Sequence, residues 1–144
     1  MSTAQPLSNE EPSGFVGALG FATMTVRPGD TAAANGVGDL TVVNNSALVS
    51  LMESAAISAI NEFFETGIST ISTAMNIAFV TSAAIGAELQ ASAQCVAHSG
   101  SDIDFEIEIY EGERLVAQST QRRQIVERVT FLARTAAQSL FEAR

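Results

Sequence analysis

The feature that most constrains this chain is an apolar stretch between Asn44 and Gly67, which predicts one long, largely buried helix. Its hydrophobic residues recur at steps of three and four, the spacing that places them on one face of a helix. Asn45 or Ser46 can serve as the N-cap, and Gly67 can adopt the left-handed conformation that ends a helix. The apolar stripe consists of Leu48, Leu51, Met52, Ala55, Ala59 and Phe63.

Glu53 is the only charged residue between Asp39 and Glu62, and it lies inside this apolar helix. A carboxylate in such a place must be paired, hydrogen-bonded or protonated, because bare burial costs several kcal/mol. Two interpretations stand: a rim glutamate turned to solvent at the edge of the stripe, or a functional carboxylate in a buried helix. Burial decides between them, since it shifts a carboxylate pKa towards catalytic use.

The composition limits the classes of partner. A chain of 144 residues with 47% hydrophobic content suits one domain with one core. The formal net charge is −9, and Lys is absent. A surface this acidic repels phosphate backbones and anionic lipids. We therefore expect neither nucleic acid nor a membrane as a partner. No run is lipophilic enough to span a membrane and the N-terminus lacks a basic signal-peptide start, so we expect a cytoplasmic protein.

The cysteine and histidine content argues against several chemistries. The single cysteine, Cys95, excludes an internal disulfide and lies in an apolar strand pattern, where core packing is the first interpretation and a nucleophile the second. The single histidine, His98, lies near a predicted hairpin turn, where a surface imidazole is the default. Neither a Cys/His metal cluster nor a phosphate-binding glycine loop is present, so we predict no metal and no cofactor.

The N-terminal part divides into a tail and the start of a domain. Residues 1–13 are polar and contain two prolines, which predicts a flexible tail, and residues 14–144 predict a single domain. Ahead of the helix, Gly20–Val26 and Leu40–Val43 resemble strands. A Pro-Gly-Asp turn signal separates them.

Four strand-like segments follow the helix. The first carries no charge, which predicts a central strand covered on both faces. The third alternates apolar and acidic residues, which predicts one buried and one wet face. A terminal helix over Glu127–Phe141 is expected to bury its apolar side chains. The four strands are predicted at Ile68–Thr81, Ala87–Ala97, Ile103–Tyr110 and Leu115–Val126.

This order of elements predicts an α+β fold. An antiparallel sheet needs its inner face covered, and the helix that carries Glu53 is the only element long and apolar enough to cover it. A sheet wrapped around one central helix is the hotdog architecture, here extended by a C-terminal helix.

Five short motifs occur in an order and spacing that resemble the hotdog acyl-CoA thioesterases, and most closely the fluoroacetyl-CoA thioesterase group. The resemblance covers roughly four-fifths of the chain. Motifs of this kind are informative through their order and spacing. The motifs are Val26-Arg27-Pro28, Leu51-Met52-Glu53, Ser72-Thr73-Ala74-Met75, Gly86-Ala87-Glu88-Leu89 and Thr120-Gln121-Arg122-Arg123.

The resemblance implies a homodimer that binds acyl-CoA where two protomers meet, with pairing into tetramers left open. Glu53 falls on the acidic position of the helix, as general base on water or as nucleophile. The amides of Ser46 and Ala47 at the helix start would receive the thioester oxygen, because free amides and the helix dipole stabilise negative charge there. Ser72 matches the position where related thioesterases carry a Ser or Thr.

Two positions depart from the fluoroacetyl-CoA group. That group has a threonine at the helix cap, where this chain has Asn45, and a catalytic histidine at the end of the strand, where this chain has Phe79. Asn45 or Ser72 would then orient the water or the thioester. Their alternatives are a plain N-cap for Asn45 and an ordinary strand hydroxyl for Ser72.

Three further residues bear on the ligand. Phe79, with the Ala-rich helix, predicts an apolar pocket for a small or medium acyl group. Arg122 and Arg123 either contact CoA phosphates, since Arg forms forked bonds to phosphate, or balance the acidic strand beside them.

The sequence leaves more than one function open. The first hypothesis is an acyl-CoA thioesterase, and the second is a dimer that binds acyl-CoA or another apolar ligand without hydrolysing it. The missing histidine supports the second. A structural dimer without ligand and a hydratase rank below them, the last because no Asp/His pair has plausible spacing.

Overall fold

Five antiparallel strands and one long helix make up most of this computed structural model, which describes residues 14–142. The predicted tail at 1–13 therefore lies outside the described residues. The strands stand in the order β1-β3-β4-β5-β2, and the α+β class and hotdog layout are as predicted. The elements are β1 (Leu19–Thr25), α1 (Asn45–Ile60), β2 (Ile68–Phe79), β3 (Glu88–Ser99), β4 (Asp102–Glu111), β5 (Arg114–Glu127) and α2 (Arg128–Glu142), with short 3-10 turns at Pro28–Asp30 and Asn61–Phe63.

Helix α1 packs on one face of the sheet, over β1, β3 and β4. We call this the inner face. Strand β4 supplies it with alternate apolar side chains and turns its acids to the outer face, as its sequence pattern predicted. The core between the two layers includes Leu48, Met52, Ala55, Ala91, Phe105, Ile107 and Ile109, each at most 1% exposed.

Gly20 on β1 is the point of closest approach between strand and helix. A Cβ atom at this position would lie 2.2 Å from the carbonyl oxygen of Ala55 and 2.3 Å from the amide nitrogen of Ala59. Both neighbours are backbone atoms of α1, which cannot move aside as a side chain can. Only glycine therefore lets the strand lie against the helix at this distance.

Two predicted boundaries differ from the observed ones. Helix α1 ends at Ile60 instead of reaching Gly67, because Phe63 and Phe64 turn to pack edge-on against Phe15 at ring-centroid distances of 5.3 Å. Gly67 does have a positive φ of 101°, but it leads into β2. The predicted strand at Leu40–Val43 is reduced to two isolated bridges.

Strand β2 lies at the edge of the sheet, and the prediction of a covered central strand is wrong. It pairs only with β5, and the end of its inner face is open, with Phe79 42% exposed. An uncharged strand sequence indicates that both faces of the strand are covered. It does not tell whether the cover comes from the same chain.

Helix α2 also differs from its prediction. The element is present, but its apolar side chains are exposed, with Val129 at 70%, Leu132 at 58% and Leu140 at 71%. It contacts β5, from which it emerges. Neither α1 nor α2 is long and apolar enough to cross a membrane, and the same holds throughout residues 14–142.

We predict that Gly20→Ala destabilises the protein by about 1–3 kcal/mol, since the added methyl group overpacks the contact between β1 and α1. Equilibrium unfolding in urea measures the loss. Gly29→Ala is the matched control, because a Cβ atom there meets nothing within 4 Å. Equal stability of the two variants would contradict the assignment of this contact.

We also predict that the start of α2 loosens in acid. The carboxylate of Glu127 accepts hydrogen bonds from the amide and the hydroxyl of Thr130, and these lower the pKa of Glu127. A lowered pKa means that the stabilisation is complete above the ordinary glutamate pKa of about 4.3 and is lost as the pH falls through the lowered value. The amide NMR shift of Thr130 should report this titration. The same titration in Glu127→Gln would contradict it.

Candidate functional site

Strand β5 carries a row of polar residues on the inner face, where its neighbour β4 is apolar. Ser119, Gln121 and Arg123 are 8%, 2% and 4% exposed. In the register of the sheet they stand opposite Ile107, Phe105 and Ile103 of β4. Polar groups are buried at a cost unless they have partners. We call these three residues the β5 polar row.

Arg123 is held by three hydrogen bonds at the end of this row. Its Nη1 donates to Oε1 of Glu53 at 2.8 Å, its Nε donates to Oγ1 of Thr70 at 2.8 Å, and its Nη2 donates to the carbonyl oxygen of Thr70 at 3.1 Å. The guanidinium therefore joins α1 to β2. It faces the Glu53 carboxylate on the inner face of the sheet, where it is almost fully buried.

The exposure of Glu53 is intermediate between the solvent-exposed and the buried positions that were considered for it. Its side chain is 34% exposed and pairs with the buried Arg123. In residues 14–142 no hydrogen bond to Oε2 is present. Arg123 thus fixes the orientation of the carboxylate through one oxygen and leaves the other oxygen open to a ligand or water.

Ser72 lies beside this pair. It stands directly opposite Arg123 in the register of β2 and β5, and its hydroxyl accepts a hydrogen bond from Nε2 of Gln121 at 3.2 Å. Within the described residues, Oε1 of Gln121 and Oγ of Ser119 are buried without a partner. The structure therefore brings together two predicted catalytic residues, Glu53 and Ser72, and the predicted binding residue Arg123.

The start of α1 corrects the predicted cap. The N-cap is Asn44, one residue before the first predicted candidate, and its side chain does not cap the helix. Its Nδ2 donates instead to the hydroxyl of Ser46 at 2.7 Å, which holds the residue in its buried position. Asn45 and Ser46 are exposed residues of the first turn. The Ala47 amide already donates to the carbonyl oxygen of Asn44 at 3.0 Å, so the amides of Asn45 and Ser46 are the ones open to a ligand.

The remaining predicted residues lie at a distance from Glu53. Eight residues of helix separate Asn45 from Glu53, which is about 12 Å along the axis. Phe79 ends β2, and the amide of Val43 just before the helix donates to the carbonyl oxygen of Ala83 just after that strand, at 2.8 Å. The helix start, with Asn45, Ser46 and Ala47, and the segment that follows Phe79 are therefore joined, about 12 Å along α1 from Glu53.

Arg122 belongs to the outer face of the sheet. It donates to both carboxylate oxygens of Asp104 at 2.7 and 3.0 Å. These hydrogen bonds lower the pKa of Asp104 and raise that of Arg122. Arg122 balances the acidic strand beside it, which was the second of its two interpretations.

Cys95 and His98 also lie outside the site. Cys95 is buried in the core, and burial raises the pKa of its thiol, which suits a packing residue better than a nucleophile. The His98 ring lies 4.8 Å from the ring of Phe15 and is hydrogen-bonded to the carbonyl oxygen of Gly100 at 2.7 Å. Among residues 14–142, no group of His, Cys, Asp and Glu side chains could hold a metal ion.

Sequence reasoning missed Ser119 and Gln121. The sequence did contain an indication of these residues. Every second residue of β5 from Ser119 to Arg123 is polar, although the neighbouring strand β4 presents apolar side chains on the same face of the sheet. Such a row in a strand next to a buried sheet face indicates either a partner or a ligand.

The comparisons with known proteins agree with this architecture. The sequence profile of the FlK family, the fluoroacetyl-CoA-specific thioesterases, matches residues 26–129. The solved structure of FlK aligns with a TM-score of 0.79 and 19% identity, covering 85% of this chain and 95% of that one. Variants of FlK have been solved with fluoroacetate and CoA and with acetyl-CoA.

The structures of other hotdog proteins align equally well with this chain. All of these structural similarities show a shared fold and nothing more. A thioesterase superfamily member from Thermus thermophilus has a TM-score of 0.80 and 21% identity, covering 90% of this chain and 96% of that one. A hot-dog-like protein from Thermanaerovibrio acidaminovorans has a TM-score of 0.77 and 15% identity, covering 85% and 91%. No curated protein matches the sequence. With its family profile matched over residues 26–129, the chain belongs to the fluoroacetyl-CoA-specific thioesterase family.

Proposed function

We propose that this protein is an acyl-CoA thioesterase that hydrolyses a small or medium acyl-CoA through Glu53. The observation that carries the proposal is the pair formed by Glu53 and the buried Arg123, with Ser72 beside it. Membership of the family supports the acyl-CoA ligand class.

The chemistry follows from the open carboxylate oxygen. As general base, Glu53 takes a proton from a water molecule while the water oxygen attacks the thioester carbon. The carbon–sulfur bond then breaks, the CoA thiolate takes up the proton, and the carboxylic acid leaves. In the alternative course, Oε2 of Glu53 attacks the carbon itself and the carbon–sulfur bond breaks to release the CoA thiolate. Water then hydrolyses the resulting mixed anhydride to the carboxylic acid and the Glu53 carboxylate, and the net proton that this hydrolysis releases goes to the thiolate. Arg123 acts in both as a positioning residue that holds Glu53.

A homodimer is part of this proposal, because one protomer leaves β2 without cover. Helix α1 packs over β1, β3 and β4, and the twelve residues of β2 form an uncharged sheet edge. Such an edge pairs readily with another strand. A two-fold axis that pairs β2 with its copy in antiparallel fashion puts the partner's Phe79 opposite the start of β2.

This pairing also accounts for the separation of the two groups of residues. Within one chain, Glu53 and the helix start are too far apart to act on one thioester. Across the two-fold axis, Ser72 lies opposite the partner's Met75, so the partner's Phe79 is four residues, about 13 Å, from Ser72 along the strand, compared with seven residues, about 23 Å, within one chain. Glu53, Arg123 and Ser72 would then supply the base and its support. The amides of Asn45 and Ser46 would supply the oxyanion site, and the side chains of Ala47 and Phe79 an apolar wall.

A second function is favoured by one observation. Phe79 and Asn45 stand where the family carries histidine and threonine. A dimer that binds acyl-CoA without hydrolysing it therefore stays the alternative.

We predict that Glu53→Gln lowers CoA release by about a hundredfold or more, which is the loss expected for a catalytic base. The measurement is CoA release from acyl-CoAs ranging from short to aromatic. Glu62→Gln is the control, because Glu62 is an exposed carboxylate shortly after α1 and should leave turnover unchanged.

The outcomes separate the two functions. Turnover in the wild type that Glu53→Gln retains would exclude Glu53 as base. Binding of acyl-CoA without any release would favour the non-catalytic dimer, and absence of both would remove the acyl-CoA proposal.

We predict that Arg123→Met costs about 1–3 kcal/mol of stability, because a buried hydrogen-bonded cation is removed and Glu53 and Thr70 lose their partner. Misplacing the carboxylate should also lower kcat by about tenfold to a hundredfold. Urea unfolding and the CoA-release assay measure the two effects. Arg122→Met is the control and should change both much less, since its ion pairs are exposed. Full turnover in Arg123→Met would argue against a positioning role.

A further inference from the structure

Helix α2 presents an apolar face that its own protomer does not cover. Val129, Leu132 and Leu140 are 58–71% exposed, while Phe131 on another side of the helix is partly covered. The family profile ends at residue 129, so nearly all of α2 lies beyond it. An amphipathic helix of this kind needs a surface to bury its stripe.

A second exposed apolar surface lies at the far end of the same sheet edge. Val80 and Ile85, in the segment after β2, are 48% and 47% exposed. Backbone bonds from Val80 and Thr81 to the carbonyl oxygen of Val116 fix this segment beside the start of β5. We call residues 80–85 the post-β2 segment.

Within one chain the two surfaces cannot meet. Helix α2 starts beside the beginning of β2, where the Arg128 amide donates to the carbonyl oxygen of Gly67 at 2.8 Å. The twelve residues of β2 then span about 36 Å to the post-β2 segment. The fifteen residues of α2 are only about 22 Å long.

We propose that α2 of each protomer packs its apolar face on the post-β2 segment of a second copy of this chain. This rests on the homodimer proposed above. When two β2 strands pair antiparallel with full overlap, the partner's Phe79 lies opposite Ile68, and the partner's post-β2 segment comes next to the start of α2. The two-fold axis forms the contact twice.

Charge supports the same occupant. Residues 14–127 carry thirteen Asp and Glu against four Arg, whereas α2 carries Arg128 and Arg134 and a single carboxylate. The post-β2 segment lies beside the turn that contains Glu111 and Glu113. Arg114, the first residue of β5, pairs with Glu111 and donates to the carbonyl oxygen of Ser82, which leaves this end of the copy with a net negative charge. A cationic helix is therefore attracted to the surface of another copy, and to this acidic end of the copy in particular.

The test is site-directed cross-linking of the full-length protein. In a Cys95→Ser background, Val80→Cys is combined with Leu132→Cys, and a short bis-maleimide linker is added. We expect most of the protein to become a covalent dimer on a denaturing gel, since the two thiols can meet only between chains. The matched control combines Val80→Cys with Gln138→Cys, which lies on the opposite side of α2 from the stripe and should give no covalent dimer.

Light scattering on the same samples separates the possible failures. A dimer in which the 80/132 pair does not cross-link would overturn the packing of α2 and leave the proposed homodimer standing. A monomer would overturn both. Equal cross-linking of the 80/132 and 80/138 pairs would also overturn the packing, because it would mean that α2 has no fixed face.

Discussion

A single helix has to cover a five-stranded sheet, and the sixteen residues of α1 pack mainly over β1, β3 and β4 and reach β5 through the pair of Glu53 and Arg123. The approach is as close as the chain allows, since Gly20 leaves room for nothing larger than hydrogen. Beyond β4 the cover ends within two strands, since the β5 polar row is still buried whereas Phe79 of β2 is 42% exposed. The other features of the fold follow from this limit, because the uncovered part of the sheet must be polar, paired across the edge, or both.

The β5 polar row occupies the boundary between the covered and uncovered parts. Burying Arg123 there costs free energy, and the bonds to Glu53 and Thr70 offset that cost. An ion pair is a weak source of stability compared with apolar packing of the same volume. The role proposed for Glu53 would account for the presence of this ion pair at the rim of the helix.

The sequence predicted those parts of the molecule that depend on local pattern. The alternation in β4 and the three- and four-residue spacing in α1 both identified the buried faces, and the order of elements identified the α+β fold. Glu53, Ser72 and Arg123 were each selected from the sequence. Their juxtaposition depends on the pairing of β2 with β5 between residues about fifty positions apart, and Ser72 and Arg123 meet only through that register.

Other parts would depend on the second copy of the proposed homodimer. Strand β2 and the apolar stripe of α2 were both expected to be buried. An apolar pattern indicates that residues are buried, but it does not indicate which chain covers them. The end of α1 was misjudged for a different reason. Phe63 continues the helical spacing, but its contact with Phe15, distant in sequence, draws it out of the helix.

The uncharged edge of β2 has a consequence for how the protein's stability is measured. If the strand is completed only by a second copy, then the free energy of folding includes the free energy of association. The midpoint of thermal unfolding would then rise with protein concentration. The measured loss of stability caused by a substitution in β2 would then depend on the protein concentration. The loss caused by a substitution in the core under α1 would not.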